Sequence, residues 1–173
     1  MAIDVLISEE KLDNRITELA NKIELDYEGK DLVVVCILNG AFVFCADLVR
    51  KVNNSIYVDF MKASSYGDST VSSGNLKIDL DLKEDIEGKH VLLVEDIVDT
   101  GLTLTNILNR LGKRKPASIK LASLLYKPAR NEFPLDIDYL GFSIDDLFVI
   151  GYGLDYAGKF RELPYIGVYS EDS

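Results

Sequence analysis

The chain has 173 residues, of which 47% are hydrophobic and 28% charged, with four prolines and two cysteines. That length is enough for one sheet-centred core without disulfides or structural metal, and the composition excludes disordered and fibrous classes. A net charge of -10, from 29 acidic and 19 basic residues, sets the overall field against polyanions, so an anionic ligand needs local positive charge or a cation.

Ser8 reads as a helix N-cap, with Glu9 and Glu10 in the first turn and Leu12, Ile16, Leu19, Ala20 and Ile23 recurring at helical spacing. Leu32 to Leu38, LVVVCIL, is a continuous apolar run of the kind shown by a strand buried on both faces. Asn39-Gly40 ends it, and Ala41 to Val52 reads as a helix. Ile56 to Met61 is β-rich. Ala63 to Asn75, ASSYGDSTVSSGN, has almost no large apolar residue and reads as a long mobile loop of a length that is usually functional. Leu76 to Leu82 alternates as a strand, and Asp79 to Glu87 reads as a solvated strand edge and turn.

Val91 to Val94 is a further buried strand, EDIVDTG a turn, and Leu102 to Leu111 a helix ending near Gly112. Ser118 to Tyr126, Ile137 to Phe142, Phe148 to Ile150 and Tyr165 to Val168 complete the strands. This alternation predicts a single α/β domain over 1–173, built on a mainly parallel twisted sheet flanked by helices. The N-terminal helix and the C-terminal segment are expected to add a small subdomain beside it. No apolar run approaches the roughly 20 residues that span a bilayer. No basic segment followed by an apolar one opens the chain, and Cys36 and Cys45 lie in apolar runs without metal-ligand spacing. Buried, reduced thiols in a cytoplasmic protein are the expectation.

Chemistry concentrates in Val91 to Leu104, VLLVEDIVDTGLTL. A buried parallel strand delivers its carboxyl end to the crevice where open α/β sheets bind ligands. Beyond it, Thr100, Gly101, Leu102 and Thr103 fall where strand turns into helix, so backbone N–H groups and two hydroxyls can surround a phosphate, and Gly101 permits close approach. Glu95 and Asp96 would repel that phosphate, so their partners are ribose hydroxyls or a hard cation. A phosphorylated sugar meets both requirements. A lone D-T-G, by contrast, reads as an ordinary helix cap.

The segment closely resembles the diphosphoribose-binding motif of type I phosphoribosyltransferases. LNGA at Leu38 to Ala41, SSYG at Ser64 to Gly67, LLYK at Leu124 to Lys127 and FVIGYGLDYAGKFREL at Phe148 to Leu163 extend the resemblance to the hypoxanthine-guanine branch over nearly the whole chain. The resemblance implies that fold, with a small hood from the N- and C-terminal segments. It also implies transfer of phosphoribose from its diphosphate to a purine nitrogen, with magnesium as cofactor.

In that light Glu95 and Asp96 would hold the ribose hydroxyls and magnesium-bound water, Asp99 to Thr103 would receive the 5'-phosphate, and Asp99 would accept the purine proton. Lys127 would donate to the 6-oxo group, Phe148 stack on the base, and Val149 offer backbone groups to the purine edge, with Asp155 beside it and also a ligand for a second magnesium. Leu38, Asn39, Gly40 and Arg161 would contact pyrophosphate, at a loop where relatives often hold a non-proline cis peptide. A basic residue often stands in relatives where this chain has Asn39. Ser65 and Tyr66 match a lid that excludes water.

His90 has no second His or Cys partner for a metal and receives no catalytic role, and Tyr152, Tyr156 and Tyr165 read as packing residues. The partners implied are phosphoribosyl diphosphate, hypoxanthine and guanine, with a homodimer or homotetramer, no nucleic acid and no membrane. Two other functions share the motif: a phosphoribosyl-diphosphate-sensing regulator that binds nucleic acid, and a xanthine-preferring transferase. The acidic charge balance disfavours the first, since beyond Lys113 to Lys115 no basic cluster occurs.

Overall fold

A computed structural model describes residues 2–66 and 76–171 of the chain. Nine strands and three α-helices are seen among them: β1 (Ala2–Ile7), α1 (Glu9–Asp26), β2 (Leu32–Ile37), α2 (Phe42–Lys51), β3 (Ile56–Ser65), β4 (Leu76–Leu80), β5 (His90–Val98), α3 (Leu102–Gly112), β6 (Ser118–Tyr126), β7 (Tyr139–Ser143), β8 (Val149–Ile150) and β9 (Ile166–Ser170). A six-stranded sheet runs in the order β4-β3-β2-β5-β6-β7. β3, β2, β5, β6 and β7 are parallel neighbours, and β4 closes one edge antiparallel to β3.

Strand periodicity divides the core into two layers. Leu32, Val34 and Cys36 of β2 and Leu92 and Val94 of β5 pack with Leu12, Ile16 and Ile23 of α1 and Phe44 and Leu48 of α2. Val33, Val35 and Ile37, with Val91 and Leu93, face Leu104, Ile107 and Leu111 of α3. Burying each such side chain is worth about 1.5–3 kcal/mol, which explains why β2 and the Val91 to Val94 stretch of β5 are apolar at every position rather than at alternate ones. Ser8 caps α1 as expected, accepting a hydrogen bond from Lys11 N–H at 3.2 Å.

Four features differ from the sequence reading. The hood is a separate three-stranded antiparallel sheet, β1-β9-β8. Its N-terminal contribution is strand β1, whereas α1 buries its apolar stripe in the main core. Ala2 to Ile7 carries no strand alternation of its own, and pairing with β9 makes it one. β5 continues through Glu95, Asp96, Ile97 and Val98, because β6 pairs alongside as far as Val98↔Tyr126. Only Asp99 to Gly101 forms the turn. Likewise β3 runs to Ser65 beside β4, and of the stretch read as a loop, residues 67–75 lie outside the described residues. Within the acidic turn, Ile86 is fully buried.

Candidate active site

The strand order places β2 and β5 side by side, yet the chain leaves them in opposite directions, through α2 to β3 and through α3 to β6. The loops after the two strands therefore diverge and leave a crevice at the carboxyl ends, where doubly wound sheets bind ligands. That crevice is a cleft of about 300 Å³ lined by Asn39, Gly40, Asp96, Ile97, Asp99, Lys127, Phe148, Val149, Leu154, Asp155 and Arg161. A larger depression of about 1090 Å³ lies between α1, α2 and the loop from Arg161 to Pro164. It is lined by Glu9, Glu10, Asp13 and Asp47 with Arg50, Lys51 and Arg161, and has none of Asp96, Asp99, Lys127 and Phe148, which line the smaller cleft.

On the β2 side, the Leu38–Asn39 peptide is cis, in keeping with the resemblance at this loop. Gly40 lies against Asp96, whose carboxylate occupies the space that a side chain at position 40 would need. The Gly40 carbonyl packs in turn on Gly153, whose φ of +99° suits glycine.

On the β5 side, Gly101 takes φ +89° and starts α3, leaving the first N–H groups of that helix directed beyond the strand end. Segment 131–133 holds this turn from behind. Thr100 O accepts from Glu132 N–H at 3.0 Å and Phe133 N–H at 2.9 Å, and Phe133 O lies where a Gly101 side chain would stand. Ser65, at the end of β3, meets Thr103 with the two hydroxyl oxygens 3.0 Å apart, which ties the start of the expected lid to the loop expected to hold the phosphate. Tyr66 is exposed, and Gly67 lies outside the described residues.

Glu95 and Asp96 stand together at the end of the buried strand. Burial, reinforced by the adjacent Asp96 carboxylate, pushes the Glu95 carboxyl well above the usual range.

Lys127 directly follows β6 with its side chain almost wholly buried, its N–H donating to Val98 O at 3.0 Å and its ammonium 3.6 Å from Asp146. Pro128–Arg130 then makes a 3-10 turn that returns Arg130 over the β5 end, where its Nε donates to Asp99 Oδ1 at 2.6 Å. Across the cleft, β8 is the edge strand of the hood, so Val149 presents one unpaired backbone edge. Phe148 is 52% exposed, an unusual degree for a large aromatic. Its ring is braced edge-on by Tyr156, with centroids 5.8 Å apart at 89°, and Tyr156 stacks on Tyr169 at 4.5 Å.

Asp155 receives Gly158 N–H at 2.9 Å and lies 3.3 Å from Arg161, whose other terminal nitrogen donates to Gly153 O at 2.6 Å. The hydrogen bonds of the 151–161 hairpin thus fix both side chains. His90 Nδ1 pairs with Ser118 Oγ at 2.6 Å, a structural contact away from the cleft.

The profile of the family described as phosphoribosyl transferase domain matches residues 8–157. This chain belongs to that family. Hypoxanthine phosphoribosyltransferase of Escherichia coli strain K12 is 48% identical over 167 residues, covering 95% of this chain and 94% of that protein. The bifunctional protein TilS/HprT of Listeria monocytogenes is 47% identical over 164 residues; the chain spans only about a quarter of its length. Among solved structures, a hypoxanthine-guanine phosphoribosyltransferase of Bacillus anthracis superposes with a TM-score of 0.92 at 46% identity, covering 96% of this chain and 98% of that one. The α/β fold is thus that of the family, and the chain is a pentosyltransferase.

Asn39, Gly40, Asp96, Asp99, Lys127, Phe148, Val149, Asp155 and Arg161 line one cleft, whereas Leu38, Ser65, Tyr66, Glu95 and Thr100 to Thr103 are not part of its lining; the sequence reading named Tyr156 as a packing residue but omitted Arg130, Asn131, Asp146 and Tyr169, which also hold these groups in place. Pro128 directly after Lys127 signals a turn, but not where that turn carries Arg130.

Proposed function

We propose that the chain transfers 5-phosphoribose from phosphoribosyl diphosphate to hypoxanthine and guanine, giving IMP or GMP and pyrophosphate in purine salvage. The observation that carries this reading is that Asp99 and Lys127, on the ends of adjacent strands, line one cleft with the exposed ring of Phe148. A carboxylate acceptor, an ammonium donor and an aromatic surface match a purine with an N–H and a 6-oxo group.

In this reading the 5'-phosphate sits on the backbone N–H groups and hydroxyls of Thr100 to Thr103, at the amino end of α3. Glu95 and Asp96 accept from the ribose hydroxyls. Leu38, Asn39, Gly40 and Arg161 bind the pyrophosphate, and Ser65 and Tyr66 close over the reacting atoms. The purine nitrogen forms its bond to the anomeric carbon as the bond to pyrophosphate breaks, the electron pair leaving with pyrophosphate. Asp99 takes the proton the purine releases, and the carboxylates stabilise positive charge developing on the sugar.

Glu95, Asp96 and Asp155 suit magnesium. Among the described residues no group of three or more His, Cys, Asp or Glu converges on a metal position, yet magnesium needs only one or two carboxylates beside water and substrate oxygens. Asp96 adds to burial in raising the Glu95 carboxyl, and a cation between the two carboxylates would offset that repulsion. When bound, the ion masks the charge of the leaving group.

No helix among the described residues is long and apolar enough to cross a membrane. The buried free thiols of Cys36 and Cys45 support a cytoplasmic setting. Exposed Phe42, Tyr57, Val58 and Phe60 offer apolar surface for a homodimer or homotetramer, which light scattering would read.

Pyrophosphate release with hypoxanthine, guanine, xanthine and adenine, magnesium present, tests the proposal. Turnover of hypoxanthine and guanine is expected, and no turnover of any purine would overturn it. Asp99→Asn should lower kcat by about 10²- to 10⁴-fold with little change in donor affinity.

A further inference from the structure

Four charged side chains form a row of alternating sign between the two groups proposed to recognise the purine. Arg130 Nε donates to Asp99 Oδ1 at 2.6 Å, a second Arg130 nitrogen lies 3.7 Å from Asp146 Oδ2, and Asp146 Oδ1 lies 3.6 Å from the Lys127 ammonium. The row is held together by backbone as well. Arg130 N–H donates to Lys127 O at 3.1 Å within the turn, and Lys127 N–H donates to Val98 O, next to Asp99.

Stability does not account for the Arg130–Asp99 pair. Its side chains are 47% and 42% exposed, and ion pairs so exposed contribute little to folding. Geometry does. An aspartate at a strand end rotates freely unless something takes one of its oxygens, and here Nε takes Oδ1 while no donor among the described residues takes Oδ2. A charge-assisted bond of 2.6 Å gives the carboxylate one defined orientation.

We propose that Arg130 is a positioning residue for the transfer step: by binding Oδ1 of Asp99, with Asp146 holding the guanidinium from its other side, it presents Oδ2 to the proton of the incoming purine. The inference rests on Asp99 being the proton acceptor. It assigns Arg130 an effect on turnover and none on the binding of phosphoribosyl diphosphate, whose proposed contacts lie on Leu38 to Gly40, Glu95, Asp96, Thr100 to Thr103 and Arg161.

Steady-state kinetics of Arg130→Gln, Arg130→Lys, Asp99→Asn and the double variant Arg130→Gln/Asp99→Asn test it. Arg130→Gln should lower kcat with hypoxanthine about tenfold, the scale of a modest misplacement of a reacting group. The KM for phosphoribosyl diphosphate and the melting temperature should stay at wild-type values, and Arg130→Lys should recover part of the loss. With Asp99 already Asn, Arg130→Gln should cost nothing further, because the two side chains act as a unit. An unchanged kcat, or the same loss in both backgrounds, overturns the inference. Failure of the wild-type chain to turn over any purine removes the proposed function itself, whereas normal wild-type turnover with an unaffected Arg130→Gln removes only this step.

Discussion

Gly40 and Asp96 meet across the two central strands: the carboxylate of Asp96 fills the space beside Gly40 that any larger residue would claim. The obstacle is the end of a rotatable side chain, so the fold can accommodate a methyl group by turning that carboxylate away. Gly40→Ala should therefore melt close to wild type, yet show a clearly raised KM for phosphoribosyl diphosphate. Gly153→Ala meets the backbone oxygen of Gly40 at a positive φ and should lose stability instead, by about 1 kcal/mol or more. Thermal melts paired with donor titrations separate the two; equal destabilisation would contradict this picture.

Lys127 is the buried cation that faces the base cleft, 3.6 Å from Asp146. A hydrogen bond from a charged group is worth about 1.5–3 kcal/mol. Lys127→Met should thus reduce kcat/KM for hypoxanthine by about 10- to 100-fold while leaving the KM for phosphoribosyl diphosphate nearly unchanged. Comparing the two substrates' parameters checks it, and a loss falling mainly on the donor would place Lys127 outside purine recognition.

Glu95 couples the site to stability. Its carboxyl is raised by burial and then by Asp96, so between the ordinary glutamate value and the raised one the folded chain keeps a proton that the unfolded chain has released. Stability therefore falls as pH rises through that window. Glu95→Gln removes this ionisation and should stabilise the unliganded protein at neutral pH, with the gain shrinking as pH falls through that window and absent below about 4. The same change should impair donor use. Calorimetric melts at several pH values decide it: parallel curves for wild type and variant would refute the coupling.

Tyr156 touches the edge of Phe148 and stacks on Tyr169. Such aromatic pairs contribute about 1 kcal/mol beyond their buried area. Tyr156→Leu should loosen the base platform and raise the KM for hypoxanthine about fivefold with kcat retained. Hypoxanthine titration at saturating donor measures this, and an unaltered KM would show that Phe148 needs no brace.

Much of the site was legible in the sequence because its parts are local. The strand Val91 to Val94, the acids at its end and the Thr-Gly turn are consecutive residues whose spacing depends only on how a strand passes into a helix. Arg130 was not legible: it lies 31 residues from Asp99, and nothing in K-P-A-R states that a 3-10 turn folds it back over the neighbouring strand. The N-terminal strand escaped for a related reason, since Ala2 to Ile7 is a strand only because β9 hydrogen-bonds to it. The length of β5 beyond Val94 was likewise set by its partner β6.

The sequence by itself determined the class of fold, the buried strands and the strand-turn-helix of Val91 to Leu111, since hydrophobic periodicity and turn chemistry act between near neighbours. Only the tertiary structure decided which residues share the cleft: the order of strands set β2 beside β5, brought Gly40 against Asp96, and joined Lys127, Asp146, Arg130 and Asp99 in one row. Those juxtapositions depend on hydrogen bonding and packing between distant segments, and no local pattern encodes which segments become neighbours.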